Sequence, residues 1–232
     1  MGAVRSQAAR LRLSLAAGLV VIGVAGVSAA DLFVVEDWKR HTLGANGLPD
    51  GWKPPTFSTG KNDFTVVEND AHRVLHMRSR SDSSAIVREI KGKVNLKETP
   101  ILEWSWRVVE MPKGGDSRRK ETDDQAGQIY VVWERFPSAV RSRVIGYVWD
   151  TTAPAGTFVK SEKASTVTYV IIRSGPADLG KWITERRNVV EDFKKIYGEE
   201  PESPSAISIA IDSDDVKGSA EAFFGPIVFK RP

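Results

Sequence analysis

The chain has 232 residues, of which 33 are basic and 30 are acidic, and none is cysteine. The lack of cysteine excludes disulfides, thiol chemistry, zinc–thiolate sites and iron–sulfur clusters. Without the three arginines of its first thirty residues, the chain would carry 30 basic and 30 acidic residues. This balance argues against a nucleic-acid surface, which needs a basic stripe, and against strong electrostatic binding to a membrane.

Residues 1–30 have the three parts of a secretory signal peptide. Three arginines form a basic region, Leu13–Val27 is an apolar run, and Ser28, Ala29 and Ala30 are the small residues that a signal peptidase accepts. The alternative is a retained membrane anchor, which needs a longer apolar run of about 20 residues. The pattern predicts cleavage between Ala29 and Asp31, a periplasmic or secreted location, and no membrane anchor after cleavage.

Residues 31–232 are predicted to form a single β-sandwich domain. Short β-rich runs recur between turns rich in Gly, Pro, Asn and Asp, which is typical of a sandwich or barrel. In chain order, the predicted strands are Phe64–Glu68, Val74–Arg78, Ala85–Ile90, Ile101–Val109, Gln128–Arg135, Val144–Trp149, Thr166–Arg173, Ala206–Ile211 and Phe223–Phe229. Asn69-Asp70 predicts a hairpin turn between the first two. We expect a two-layer antiparallel sandwich over about Leu32 to Arg231.

One surface helix is predicted over Asn188–Tyr197. Asn188 can cap its first turn, and Glu191 three residues later completes a box-like N-terminus. Its apolar face is formed by Val189, Phe193, Ile196 and Tyr197. Gly198 and the following Pro201 are typical of a helix end.

Alternation along the strands assigns side chains to faces. Trp104 and Trp106 share a face with Leu102 and Val108, which favours core packing over a sugar-stacking platform. For Tyr147 and Trp149 both interpretations stay open.

Three irregular segments also permit alternative interpretations. Trp38 and Trp52 lie in Gly- and Pro-flanked stretches, and we interpret them as a clip over one end of the sandwich, with a loop-borne platform as the alternative. Pro112–Asp124 is charged, lacks an apolar period and joins two strands. It is interpreted either as a solvated loop or as a lid, because long loops in compact domains are often functional.

Few residues suggest chemistry. The sequence has no nucleophile elbow, P-loop, dinucleotide fingerprint or His-Glu-x-x-His motif. His72 and His76 in a strand have Cα atoms ~13 Å apart, too far to share a metal. Asp212 and Asp214 lie on one side of a strand end, where they could converge on a hard cation such as Ca²⁺ or form a solvated turn. We predict no metal and no cofactor.

Several motifs occur in a fixed order. They are Trp104–Val108, Pro112, Lys120, Asp123-Asp124, Ile129–Val131, Tyr147–Trp149, Arg187–Val189, Asp192-Phe193, Gly198, Ile209–Asp214 and Phe224–Ile227. Together they resemble the exported bacterial family catalogued as domain of unknown function 3047, from about Asp31 to Phe229. The resemblance implies a β-sandwich of the jelly-roll type and supplies no catalytic residues. The positions that match are Arg107, Lys120, Asp123, Asp124, Tyr130, Arg187, Asn188, Asp212 and Asp214, whereas Ser213 and Val216 depart from the pattern.

These observations lead to a predicted ligand-binding site. We expect one end of one sheet face to gather Arg107, Lys120, Asp123, Asp124, Tyr130, Asp212 and Asp214, with residues 112–122 lying across them. Trp149 is added as an exposed aromatic candidate. An ion-pair network that includes Arg107 and Asp212 is favoured over a metal, because arginine can neutralise these acids.

The predicted function is binding of a glycan or another envelope ligand, by analogy with jelly-roll proteins. One alternative is a polysaccharide-active enzyme that uses paired carboxylates from among Glu103, Glu134, Asp123 and Asp124. Another is a structural envelope protein without a small ligand. The sequence does not indicate the oligomeric state.

The predicted export can be tested by N-terminal sequencing of the protein from a periplasmic extract. The mature chain is expected to begin at Ala30 or Asp31, because the small residues there suit a signal peptidase. A mature product that retains Met1 would contradict the prediction.

Overall fold

The computed structural model describes residues 32–55 and 63–232, so the predicted signal peptide and its cleavage site lie outside the described residues. The strands are β1 (Leu32–Glu36), β2 (Phe64–Asn69), β3 (His72–Arg80), β4 (Ser83–Glu89), β5 (Ile101–Glu110), β6 (Gly127–Trp133), β7 (Arg143–Asp150), β8 (Phe158–Lys160), β9 (Val167–Ser174), β10 (Ile183–Asn188), β11 (Ala206–Asp212) and β12 (Ser219–Lys230). The helices are α1 (Ser138–Arg141) and α2 (Val189–Tyr197). Within the described ranges, no helix is long and apolar enough to cross a membrane.

The strands form two six-stranded sheets. Sheet A has the order β10-β5-β12-β3-β2, with β1 also paired to β12, and sheet B has the order β4-β11-β6-β7-β9-β8. The described strands pair in antiparallel fashion with one exception, since β7 and β9 run parallel. The intervening strand β8 lies at the edge of sheet B, and β9 lies between β8 and β7. The predicted β-sandwich of the jelly-roll type is confirmed.

Every predicted strand is present, and three further strands were not predicted. The strand β10 has the sequence Ile-Thr-Glu-Arg-Arg-Asn, which shows little apolar alternation because it is an edge strand beside β5. The strand β8 has only three residues. The strand β1 follows directly on the predicted signal peptide. Short or polar edge strands give weak signals because they bury few side chains.

The core between the sheets is rich in aromatic side chains. Trp104 and Trp106 of β5 are fully buried and pack edge to face, with ring centroids 5.4 Å apart. Trp104 stacks on Tyr147 of β7 at 5.4 Å, and Trp106 lies 5.9 Å from Trp149 of the same strand. The core interpretation of Trp104 and Trp106 is therefore confirmed, and the open question about Tyr147 and Trp149 is decided in favour of the core.

The predicted helix is confirmed as α2, and a buried carboxylate fastens it to sheet B. The Asn188 side chain accepts hydrogen bonds from the backbone N–H groups of Val190 and Glu191, and Gly198 ends the helix with a φ of 71°. Asp192 accepts a hydrogen bond from the Tyr147 hydroxyl at 2.9 Å and from Arg187 Nε at 2.9 Å. Asp192 therefore links the helix to β7 of sheet B and to β10 of sheet A.

Another buried carboxylate, Glu36, holds the segment after β1. Trp38 and Trp52 stack at 5.7 Å and are 0% and 4% exposed, so neither is an exposed platform. Glu36 accepts hydrogen bonds from the Trp52 indole at 2.9 Å and the Trp38 backbone N–H at 2.9 Å, and it also contacts His41 and Arg88. Burial raises the pKa of Glu36, but these hydrogen bonds and the Arg88 charge outweigh it and leave the pKa lowered.

Replacing Glu36 by glutamine should reduce the free energy of unfolding by about 2–4 kcal/mol, because Arg88 loses its counter-charge. Because the pKa of Glu36 is lowered, its contribution to the free energy of unfolding is present at pH values above 4.5, its ordinary pKa, and is lost as the pH falls below that value. Urea unfolding should therefore show a larger difference between Glu36→Gln and wild type near neutral pH than at about pH 4.

The matched control is Glu89→Gln, which removes a carboxylate from an exposed pair with Lys53. Exposed pairs contribute little, so this variant should unfold like the wild type. Equal destabilisation by both substitutions would contradict the role assigned to Glu36.

Candidate functional site

Five of the predicted site residues do meet at one end of sheet B. Asp123 and Asp124 precede β6, and Tyr130 lies within it. Asp212 ends the neighbouring strand β11, and Asp214 lies in the turn that follows. The strands are joined there by the Asp212 backbone N–H, which donates to the Gln125 carbonyl at 3.0 Å. We call Asp123, Asp124, Asp212, Asp214 and Asp215 the acidic cluster.

Asp124 organises the turn that follows β11. Its fully buried carboxylate accepts hydrogen bonds from the backbone N–H groups of Asp215 at 3.2 Å and Val216 at 2.7 Å. Carboxylate oxygens of Asp124, Asp214 and Asp215 lie within 4.8 Å of one another. Hard cations accept such ligands, but Lys163 already pairs with Asp215.

The acidic cluster also carries charge that burial disfavours. Burial raises the pKa of Asp212 to about 9, and the charges of Asp124 and Asp214 add to the shift. One oxygen of Asp214 is buried without a hydrogen-bond partner among the described residues. Burial and the neighbouring charges therefore favour the protonated form of Asp212, and protonation reduces repulsion inside the cluster.

A chain of hydrogen bonds connects Asp123 to Tyr130. Asp123 accepts from the Tyr169 hydroxyl at 3.1 Å and from the Gln125 amide at 2.7 Å. The Gln128 amide donates to the Gln125 carbonyl at 3.1 Å, and the Tyr130 hydroxyl donates to the Gln128 side chain at 2.6 Å. Burial raises the pKa of Asp123 to about 6. These groups satisfy one another inside the protein, so few of them are free to meet a ligand.

Gly146 explains why the Tyr130 ring can lie against the sheet. A Cβ atom at this position would be 2.7 Å from the Tyr130 ring and 3.0 Å from the Tyr169 ring. A side chain there would force the Tyr130 ring to move and would crowd the Tyr169 ring.

Three predicted residues do not join the acidic cluster. Arg107 lies on β5 of sheet A, whereas Asp212 lies on β11 of sheet B, so the predicted Arg107–Asp212 pair is wrong. Trp149 is 1% exposed and donates its indole N–H to the Gly175 carbonyl at 3.0 Å, so it is not an exposed platform. The ammonium group of Lys120 has Glu121 as its ion-pair partner, at 3.8 Å.

The charged loop is neither fully solvated nor a free lid. The buried Asp150 carboxylate accepts hydrogen bonds from the backbone and hydroxyl of Ser117 and from the backbone N–H groups of Thr152 and Ala153. Thr151 Oγ1 donates to the Pro112 carbonyl at 2.9 Å. Asp150 therefore fixes the middle of the loop to the end of β7.

Sheet A carries a different arrangement on its outer face. In its register, Phe223 of β12 lies between Arg107 of β5 and His76 of β3, and His76 lies opposite Thr65 of β2. Trp182 immediately precedes β10, beside Arg107. We call these five residues the cross-strand row. All are partly exposed, and with strands ~4.8 Å apart the row is about 19 Å long.

Contacts between neighbours fix the side chains of the row. The rings of His76 and Phe223 stack at 4.3 Å with an angle of 7° between their planes. The Arg107 guanidinium lies 5.9 Å from the centre of the Phe223 ring. His76 Nε2 forms a 2.7 Å hydrogen bond with Glu221. The row therefore alternates apolar rings with groups that can form hydrogen bonds.

The β2–β3 turn borders the row. Asp70 and Ala71 occupy the two turn positions with φ values of 51° and 63°, one residue later than predicted. Asn69 Oδ1 accepts hydrogen bonds from Arg107 Nη1 at 3.2 Å and from Trp182 Nε1 at 3.0 Å. The turn thus holds both side chains in place.

Sequence reasoning identified Arg107 and missed the rest of the row. Alternation could have placed Phe223 outward, because its neighbour Phe224 faces the core. The alignment of residues from five segments depends on how the strands pair, and a pattern within one segment does not predict that pairing.

Comparison with known proteins gives one family match and several remote structural likenesses. The family model described as "Protein of unknown function (DUF3047)" matches residues 50–228. No match was found among curated proteins. Among solved structures, the chain is similar to the family 11 carbohydrate-binding module of the cellulase Lic26A-Cel5E of Clostridium thermocellum. The identity is 8% and the TM-score 0.45, over 88% of this chain and 97% of that one.

Two further structures show likenesses of the same order. One is the CBM22-1 xylan-binding domain from Paenibacillus barcinonensis Xyn10C, with 11% identity and a TM-score of 0.41, over 88% of this chain and 98% of that one. The other is a mutant ENZbleach xylanase, with 12% identity and a TM-score of 0.45, over 87% and 90% of the two chains. Likenesses this remote carry no argument about function.

Replacing Asp212 by asparagine should stabilise the protein at about pH 8. Because the pKa of Asp212 is raised, its contribution to stability is present at pH values below 3.8, its ordinary pKa, and is lost as the pH rises toward about 9. Asparagine cannot ionise, so the variant does not lose stability as the pH rises. Its side-chain oxygen can still accept the hydrogen bond from the Asp214 backbone N–H. The melting temperature should rise by a few degrees, since 1 kcal/mol corresponds to about 2–4 °C at this size.

The same measurement at about pH 4 should show a smaller difference between variant and wild type. Calcium chloride added at the higher pH is expected to leave the wild-type melting temperature unchanged. A calcium-dependent rise would show that a cation, and not a proton, neutralises the cluster.

Proposed function

Since the chain belongs to the DUF3047 family of proteins of unknown function, we propose from its own surface that it is a glycan-binding module. Its ligand would be an extended sugar chain held on the outer face of sheet A. The observation that carries the proposal is the cross-strand row, in which partly exposed rings alternate with polar side chains over several strands.

The chemistry of the row suits a sugar. The C–H faces of a pyranose ring pack on aromatic rings, while its hydroxyls need donors and acceptors close by. Trp182 offers an indole ring, and Arg107 and Thr65 offer polar groups on the same line. A row of this length can contact more than one sugar unit, which favours a chain over a monosaccharide.

The row is also held rigid before any ligand arrives. Asn69 fixes the Trp182 indole and the Arg107 side chain, and Phe223 is packed against His76. A rigid surface loses less side-chain entropy on binding than a mobile one. This preorganisation supports a recognition role for these residues.

The predicted export is consistent with this function. A periplasmic or secreted location would bring the protein to the polysaccharides of the cell envelope or its surroundings. We therefore propose an envelope or extracellular glycan as the partner.

The acidic cluster supports a second candidate function, a polysaccharide-active enzyme. Asp123 and Asp212 both have raised pKa values because of burial, and such groups often mark catalytic sites. Of the other acids considered, Glu103 lies on sheet A, where it pairs with Lys230 and Arg186, and Glu134 is exposed after β6. Under this alternative, Tyr130 and Asp214, which are partly exposed, would contact the substrate, and the buried Asp124 would hold the turn beside them.

A glycan array combined with an assay for released reducing sugar separates the two functions. Binding without turnover supports the first proposal, and turnover supports the second. If neither is observed, a structural envelope protein without a small ligand is the remaining interpretation.

Trp182→Ala should weaken binding to any glycan found on the array by about tenfold, the equivalent of ~1.4 kcal/mol. The matched control is Phe136→Ala, which removes an aromatic ring that is 88% exposed and lies away from the row, between β6 and α1. Unchanged binding by Trp182→Ala, or equal loss in both variants, would contradict the row as the binding surface.

A further inference from the structure

We propose that the glycan held on the cross-strand row carries carboxylate groups, as a uronic-acid polysaccharide does, and that Arg107 binds one of them. This inference rests on the proposed function and names its ligand class. The supporting observations are the position of Arg107 in the row, its few hydrogen-bond partners, and the contrast with Arg78 and Arg186 on the same face, which pair directly with carboxylates.

Arg107 occupies the part of the row between two aromatic side chains. It lies beside Trp182 on one side and Phe223 on the other, and 29% of its side chain is exposed. A ligand that stacks on the Trp182 ring and extends along the row must therefore pass the guanidinium group.

The guanidinium group is poorly satisfied within the protein. It has five N–H donors, and its hydrogen bond to a described residue runs from Nη1 to the neutral side chain of Asn69. Nε is buried and has no partner in the described part of the chain. Buried donors without acceptors are costly and therefore uncommon in proteins. Because Nε is buried, a ligand would reach the guanidinium group through the exposed part of the side chain.

The positive charge of Arg107 is also only weakly compensated. The nearest carboxylate oxygen is that of Asp70, 3.8 Å from Nη1, and the Asp70 side chain is 67% exposed. A pair of this length in solvent contributes little. Glu221, another acid near the row, pairs with His76 at 2.7 Å.

Other arginines on this face differ from Arg107. Arg78 Nε donates to Asp63 at 3.1 Å, and Arg186 pairs directly with Glu103. Each of these two has a carboxylate within hydrogen-bonding distance, so neither needs a ligand. Arg107 therefore differs from these two in lacking a carboxylate within hydrogen-bonding distance, although it lies between two aromatic side chains of the row.

The chemistry of guanidinium indicates the missing acceptor. Its planar fork matches a carboxylate with two parallel hydrogen bonds, which are stronger than bonds to neutral hydroxyls. Contact with the Phe223 ring helps to hold the fork in place. A neutral sugar would leave the charge uncompensated, whereas a uronate would neutralise it. The acidic cluster would repel the same ligand, which restricts it to the outer face of sheet A.

Isothermal titration calorimetry with matched ligands tests the proposal. The probes are oligomers of galacturonate, mannuronate and glucuronate, each compared with its neutral methyl ester and with a sulfated neutral oligosaccharide of equal length. Wild type should bind at least one uronate about tenfold more tightly than its ester. Arg107→Gln should abolish this preference, so that acid and ester bind with equal affinity, and Arg107→Lys should retain part of it.

Arg186→Gln is the control, since it removes a charge from the same face but from a side chain that is already paired. It should keep the wild-type preference, and melting curves should show that the variants remain folded. Equal affinity for acid and ester, or a preference for the sulfated ligand, would overturn the carboxylate proposal while binding to the row remains. If no ligand binds and Trp182→Ala changes nothing, both the proposed function and this inference fail.

Discussion

The aromatic packing between the two sheets is the interaction on which the rest of the structure depends. Trp104 and Trp106 of sheet A contact Tyr147 and Trp149 of sheet B, and no disulfide supports them because the chain has no cysteine. Large rings bury much apolar surface and fix the separation of the sheets. The indole nitrogens of Trp104 and Trp106 lack partners among the described residues, so burial of the rings outweighs an unfavourable polar contribution.

Buried carboxylates fasten the irregular segments to this core. Glu36 holds the segment after β1, Asp150 holds the charged loop, Asp192 holds α2, and Asp124 holds the turn after β11. Each accepts more than one hydrogen bond, and in three of the four the donors include backbone N–H groups. Charge-assisted bonds of this kind are stronger than neutral ones. They give the loops defined positions, which a binding surface requires.

The two outer faces of the sandwich have different character as a result. At one end of sheet B, hydrogen bonds link Asp123 to Tyr169 and Gln125, and Tyr130 to Gln128, so most of these polar groups already have partners within the protein. The outer face of sheet A keeps partly exposed rings and an arginine whose nearest carboxylate oxygen is 3.8 Å away. A ligand can contact groups that are exposed and incompletely satisfied, so the row on sheet A is the better candidate surface.

The sequence by itself determined the strands with clear alternation, the capped helix and the inward faces of β5, β6 and β11, because these follow from the spacing of side chains along a single segment. The sequence also predicted a site that contains Asp123, Asp124, Tyr130, Asp212 and Asp214. These residues lie at one end of the paired strands β6 and β11. The tertiary structure decided that Arg107 belongs to the other sheet. Alternation separates inward from outward side chains, but a sandwich has two outward faces. Which face a strand joins, and which residues align across it, depends on pairing between segments far apart in the chain.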